Sequence, residues 1–152
     1  MVLTREIITK SPQETAKVGQ DLGHYLTKSR EEGKEAKIIC LYGELGSGKT
    51  TFVQGFARGL GIVGRLLSPT FIIVRRYLIP GLASFLYHLD LYRLKQAHDL
   101  HNLGLTEIFS QTGNFVVVEW AEKLGKYRPD SRLDICFTRQ EDGSHKINLC
   151  QR

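Results

Sequence analysis

The eight residues Gly43-Glu44-Leu45-Gly46-Ser47-Gly48-Lys49-Thr50 constrain this 152-residue chain more than any other stretch. They fit G-x-x-x-x-G-K-[ST], the phosphate-binding P-loop. Glycine lets the backbone enter conformations closed to other residues and come close to an anion. Successive N–H groups then form a concave nest for phosphate oxygens. A helix beginning near Lys49 adds the positive end of its dipole. The Lys49 ammonium reaches the β- and γ-phosphates, and the Thr50 hydroxyl suits Mg²⁺. The flanks agree. An apolar run, Ile38 to Tyr42, enters the loop, and Phe52, Val53, Phe56, Ala57 and Leu60 leave it at helical spacing after Thr51. Residues 43–51 are therefore expected to contact nucleotide.

A chain of this length makes a single domain, residues 1–152, with enough sequence for a core. Apolar content of 41% and charged content of 24% are those of a globular protein. No apolar run approaches the roughly 20 residues of a membrane span, and the N-terminus does not read as a signal peptide. Cys40, Cys136 and Cys150 lack C-x-x-C spacing, which argues against a zinc site or a disulfide framework. A reducing, cytoplasmic setting is expected. Cys40 and Cys150 read as small core residues. The net charge of +5 suits nucleic acid or an acidic partner, although the basic residues are scattered.

Ser11-Pro12-Gln13-Glu14 reads as a capping box, opening a helix to about Arg30. After the P-loop helix, Gly59, Gly61 and Gly64 open a loop that Ser68-Pro69-Thr70 closes. Phe71–Leu78 and Ser84–Leu91 are expected to form an antiparallel hairpin. Alternation in the second places His88 and Asp90 on one face. Residues 95–109 read as helix, split near Gly104. Phe115-Val116-Val117-Val118 has the continuous apolar character of a strand buried on both faces. Ala121–Lys126 reads as a short helix or turn. Arg132–Arg139 and His145–Gln151 alternate around a turn at 141–144. The expected class is α/β with the P-loop NTPase fold: a mixed, mostly parallel sheet extended by antiparallel hairpins and flanked by helices.

A P-loop binds nucleotide; hydrolysis or transfer needs an acid that holds Mg²⁺ or positions the attacking group. Glu119 ends the apolar strand and Asp90 ends its neighbour, so Lys49, Asp90 and Glu119 are the catalytic candidates. Thr50, Asp90 and Glu119 are the metal candidates. Thr70 stands where switch threonines of P-loop enzymes meet Mg²⁺ or the γ-phosphate. Arg75, Arg76 and Arg93 could supply transition-state charge. Neither N-K-x-D nor D-x-x-G occurs, which disfavours guanine nucleotides.

Four segments carry a more specific pattern: Gly43–Thr50 with Thr51-Phe52, Ser68-Pro69-Thr70-Phe71, His88-Leu89-Asp90-Leu91-Tyr92-Arg93-Leu94, and Val118-Glu119-Trp120-Ala121-Glu122-Lys123. In that order they resemble the bacterial TsaE (YjeE) family, P-loop ATPases of tRNA threonylcarbamoyladenosine biosynthesis. The resemblance implies a weak, Mg²⁺-dependent ATPase that binds ATP and works with TsaB and TsaD subunits. Those subunits modify the adenosine beside the anticodon, so contact with tRNA is direct or through them. It implies that Lys49 binds phosphate, that Thr50 and Glu119 hold Mg²⁺ directly or through water, and that Asp90 belongs to the same shell. Trp120 would be a functional aromatic. Ser11 and Pro12 would lie on the adenine side, facing His145 or Lys146 where relatives carry Arg. Two other readings stay open: a small P-loop kinase for a nucleotide or metabolite, and a nucleotide-dependent interaction module.

Overall fold

The computed structural model describes residues 3–30, 34–67 and 73–152. Its elements run β1 (Leu3–Thr9), α1 (Pro12–Lys28), β2 (Lys37–Tyr42), α2 (Lys49–Gly59), β3 (Val74–Leu78) and β4 (Phe85–Asp90). A 3₁₀ segment (Ala97–Leu103), α3 (Leu105–Ser110), β5 (Phe115–Glu119) and a second 3₁₀ segment (Ala121–Tyr127) follow, then β6 (Leu133–Arg139) and β7 (His145–Gln151). The strands form one sheet in the order β1-β7-β6-β2-β5-β4-β3. Parallel pairing joins β6, β2, β5 and β4. Antiparallel pairing adds β3 at one edge and β7, then β1, at the other. This is the mixed α/β arrangement of a P-loop NTPase.

At the centre of the sheet both faces are apolar. Ile39, Leu41, Phe115 and Val117 pack against Phe52, Val53 and Phe56 of α2. Ile38, Cys40, Val116 and Val118 pack on the other side against Leu100, Leu105 and Leu124. All five residues of β5 are buried, as its unbroken apolar run requires. Burial comes first among the causes that push the Cys40 thiol up to about 12, with the nearby Asp134 carboxylate adding to it, so Cys40 is inert core. Cys150 is only partly buried, on β7 between two strands, rather than a core residue.

Helices α1 and α2 touch backbone to backbone. A Cβ added at Gly55 would stand 1.9 Å from the Ala16 carbonyl oxygen, and one at Gly19 would stand 2.2 Å from that of Phe52. No side chain fits there, so the helix pair is closed by its glycines. The α1 cap forms as expected: the Ser11 hydroxyl accepts from Glu14 N–H at 3.1 Å, with Pro12 in the first turn. Glu14 reaches back to Lys10 N–H, one residue earlier than an ideal capping box. Gly104 adopts φ 68° and divides the 95–109 region into the 3₁₀ segment and α3.

Candidate functional site

Three chain reversals at the carboxyl ends of the parallel strands build the site. The P-loop leaves β2 at Gly43 with φ 149°, and Gly48 with φ 104° opens α2. Strand β4 ends at Asp90, whose Oδ1 accepts from Tyr92 N–H at 3.0 Å in an Asx turn. Strand β5 ends at Glu119, and Trp120 takes left-handed φ 59° and ψ 44° to turn the chain away. A non-glycine residue held there is strained backbone, of a kind that clusters at functional sites. Parallel register sets Asp90 opposite Glu119.

Side chains then converge. The Thr50 hydroxyl donates to Glu119 Oε1 at 3.2 Å, tying the start of α2 to the end of β5. His88 Nε2 meets Glu119 Oε2 at 2.6 Å, with His88 2% and Glu119 3% exposed. The Lys49 ammonium donates to the Gly43 carbonyl and lies 3.7 Å from the centroid of the Trp120 ring, a cation–π contact. Burial pulls Lys49 below the ordinary lysine range, opposed by the carboxylates of Glu119, Glu122, Asp90 and Glu44. Tyr92 packs on Trp120 with ring centroids 5.1 Å apart.

These groups face a cleft of about 410 Å³. Of the residues expected from sequence, Gly46 to Thr51, Leu45, Asp90, Glu119, Pro12 and His145 line it. Gly43, Glu44 and Ser11 are not part of that lining: Gly43 lies beneath it as the acceptor of Lys49, and the Ser11 hydroxyl is committed to its helix cap. Thr70 and its Ser68–Phe71 motif fall outside the described residues. His145 reaches the loop from β7, its Nδ1–H donating to the Ser47 carbonyl at 2.7 Å. Thr15 and Tyr92 also line the cleft and were not among the expected residues. Thr15 is fixed there by a 2.7 Å hydroxyl pair with Thr9 of β1.

Among the described residues no three His, Cys, Asp or Glu side chains form a metal cage. The donors that do converge, one hydroxyl and two carboxylates, are hard oxygens. They suit Mg²⁺, which takes few protein ligands and completes its shell with phosphate oxygens and water.

Lys123 braces the Asp90 turn. Its ammonium donates to the carbonyls of Tyr92 and, at 3.0 Å, of Leu94. Lys123→Met should cost about 0.5–1.5 kcal/mol, because it removes charged hydrogen bonds to two carbonyls that water can partly replace. Denaturant unfolding measures this, and amide exchange at residues 91–95 should quicken.

A model of the family "Threonylcarbamoyl adenosine biosynthesis protein TsaE" matches residues 9–147. The chain belongs to that family. It is 36% identical over 144 residues to the "tRNA threonylcarbamoyladenosine biosynthesis protein TsaE" of Bacillus subtilis, covering 93% of this chain and 82% of the relative. The protein of the same description from Treponema pallidum is 34% identical over 142 residues, covering 93% and 97%. The solved structure described as "Crystal structure of Bacillus subtilus YdiB" superposes with a TM-score of 0.78 at 33% identity, covering 99% of this chain and 87% of that one. Among the described residues no helix of this TsaE-family chain is long and apolar enough to cross a membrane.

Proposed function

We propose that this chain is the ATP-binding and slowly hydrolysing component of the tRNA threonylcarbamoyladenosine machinery, supporting turnover of a TsaB–TsaD transferase. The observation that carries the reading is the 3.2 Å contact of Thr50 with Glu119, beside the Lys49 ammonium at the P-loop. Phosphoryl transfer from ATP is mostly positioning and charge neutralisation, and this arrangement supplies both. The backbone of Gly46 to Thr50 and the N-terminus of α2 cradle phosphate oxygens. Lys49 leaves the Gly43 carbonyl and the Trp120 face for the β- and γ-phosphates. Thr50, Glu119 and Asp90 would hold Mg²⁺, directly or through water; bound there, it neutralises charge on the phosphate oxygens. Pro12 and His145 border the cleft on the side given to adenine.

Both oxygens of Glu119 already have donors, Thr50 and His88. No described side chain is committed to activating water. Slow hydrolysis by the chain alone follows, with acceleration when TsaB and TsaD complete or reshape the site. Contact with tRNA, direct or through those subunits, belongs to the same reading, as does a cytoplasmic setting.

The test is ATP hydrolysis by the chain alone and with a TsaB–TsaD complex, wild type beside Glu119→Ala. A rate that rises with the complex and is lost in the variant supports the reading. A rate that ignores the complex and survives the substitution would transfer the argument to a small kinase, recognised by phosphate appearing on an acceptor instead of in water.

A further inference from the structure

We propose that His88 is a positioning residue for Glu119 and thereby sets how strongly the cleft holds the divalent cation that accompanies ATP; the inference rests on the ATPase reading above. Glu119 is nearly inaccessible, and its two carboxylate oxygens are held by donors from different elements. Thr50 of α2 takes Oε1 at 3.2 Å, and His88 of β4 takes Oε2 at 2.6 Å. The register pairs His88 with Val117 and Asp90 with Glu119, so the imidazole leans two residues along β5 to reach the carboxylate. Rotation of Glu119 away from the cleft would break the His88 contact.

The imidazole is a poor choice for packing alone. It sits on the face of β4 shared with Leu86, which is fully buried in the apolar cluster under α2. Its other nitrogen, Nδ1, is buried with no hydrogen-bond partner among the described residues. A leucine would fill this place without that unpartnered nitrogen, but it would leave Glu119 Oε2 without its donor. The return on that orphan is a donor fixed on one oxygen of the acid that ends β5. Thr50, the other donor, faces the nucleotide as well. Among the described residues Glu119 is the one hydrogen-bond partner of the His88 side chain. Partners of this kind, standing behind a metal-holding carboxylate, typically alter metal affinity by about 10–100-fold when removed.

The experiment compares His88→Leu, His88→Gln and His88→Asn in the full chain. ATP binding is followed by calorimetry and by the emission of Trp120, the single tryptophan, which lines the cleft. Titrations are run in EDTA and at increasing Mg²⁺, and the melting temperature of each free protein is recorded. His88→Leu should bind ATP in EDTA as wild type does, yet require about tenfold more Mg²⁺ for the same gain in affinity. His88→Gln, whose side-chain amide lies near the position of Nε2, should recover most of that deficit. His88→Asn, too short to reach, should not. A His88→Leu protein that folds and responds at the wild-type Mg²⁺ concentration overturns the proposal. If the leucine variant does not fold, the Gln–Asn pair decides, and equal Mg²⁺ requirements for those two overturn it as well. A wild-type chain with no response to ATP at any Mg²⁺ concentration would defeat the ATPase reading itself, a different outcome from either.

Discussion

Lys49→Ala is expected to lower ATP hydrolysis by about 10²–10³-fold, the usual effect of removing one preorganised charge from the transferring group. The free protein should stay folded, because desolvation of the buried ammonium offsets much of what its carbonyl and aromatic contacts contribute. Lys49 is 5% exposed, and its ammonium is compensated by a carbonyl and an aromatic face, with carboxylates beyond them. That environment suits an ammonium waiting for phosphate better than one stabilising the empty fold. Burial is the dominant influence on its proton affinity and lowers it. A lysine with a folded pKa below its unfolded value binds fewer protons when folded. Stability therefore rises with pH between the lowered value and the unfolded value near 10.5. Wild type should gain stability relative to Lys49→Ala over that alkaline window, while the activity defect persists at neutral pH. Denaturant unfolding and hydrolysis rates on the same preparations separate the effects. An alanine variant that hydrolyses ATP at the wild-type rate would remove Lys49 from the site.

Local pattern made much of this arrangement readable. The P-loop spacing located Lys49 and Thr50 on a helix start, and the apolar run of β5 placed Glu119 at a strand end. Period-two alternation put His88 and Asp90 on one face of β4, which is where they are. Alternation could not show that His88 meets Glu119, because that depends on the offset between two strands far apart in sequence. Strand β1 was missed for a related reason. Thr4-Arg5-Glu6 carries no apolar signal, and the segment is a strand because β7 offers it an edge. With β1 unseen, Thr15 had no visible reason to be buried; its partner is Thr9 on that strand. Pro12 was expected beside the nucleotide and lines the cleft, whereas Ser11 next to it turns inward to its own helix cap. Capping chemistry was legible at Ser11, and it is the stronger local claim on that hydroxyl.

Gly55→Val should be the most destabilising single change in the helix layer, by about 3 kcal/mol or more. The added Cβ would lie 1.9 Å from Ala16 O and 2.7 Å from its carbonyl carbon, both backbone atoms that no rotamer change can move. Relief requires α1 to shift away from α2. For a chain of this size the loss corresponds to a fall of roughly 6–12 °C in melting temperature. The shift should also reach the cleft. The first turn of α1 brings Pro12 and Thr15 to its lining, and a Cβ at Gly48 would meet Thr15 Cγ2 at 3.4 Å. ATP affinity should therefore fall although Gly55 touches nothing in the site. Gly46→Ala supplies the contrast. Gly46 has φ 75° with nothing within 4 Å of its would-be Cβ, so the change is a conformational penalty of about 1–2 kcal/mol without a collision. If Gly55→Val melts no lower than Gly46→Ala, the helices are not closed by backbone contact. A Gly55→Val protein of lowered stability but unchanged ATP affinity would instead show that α1 can move without disturbing its first turn.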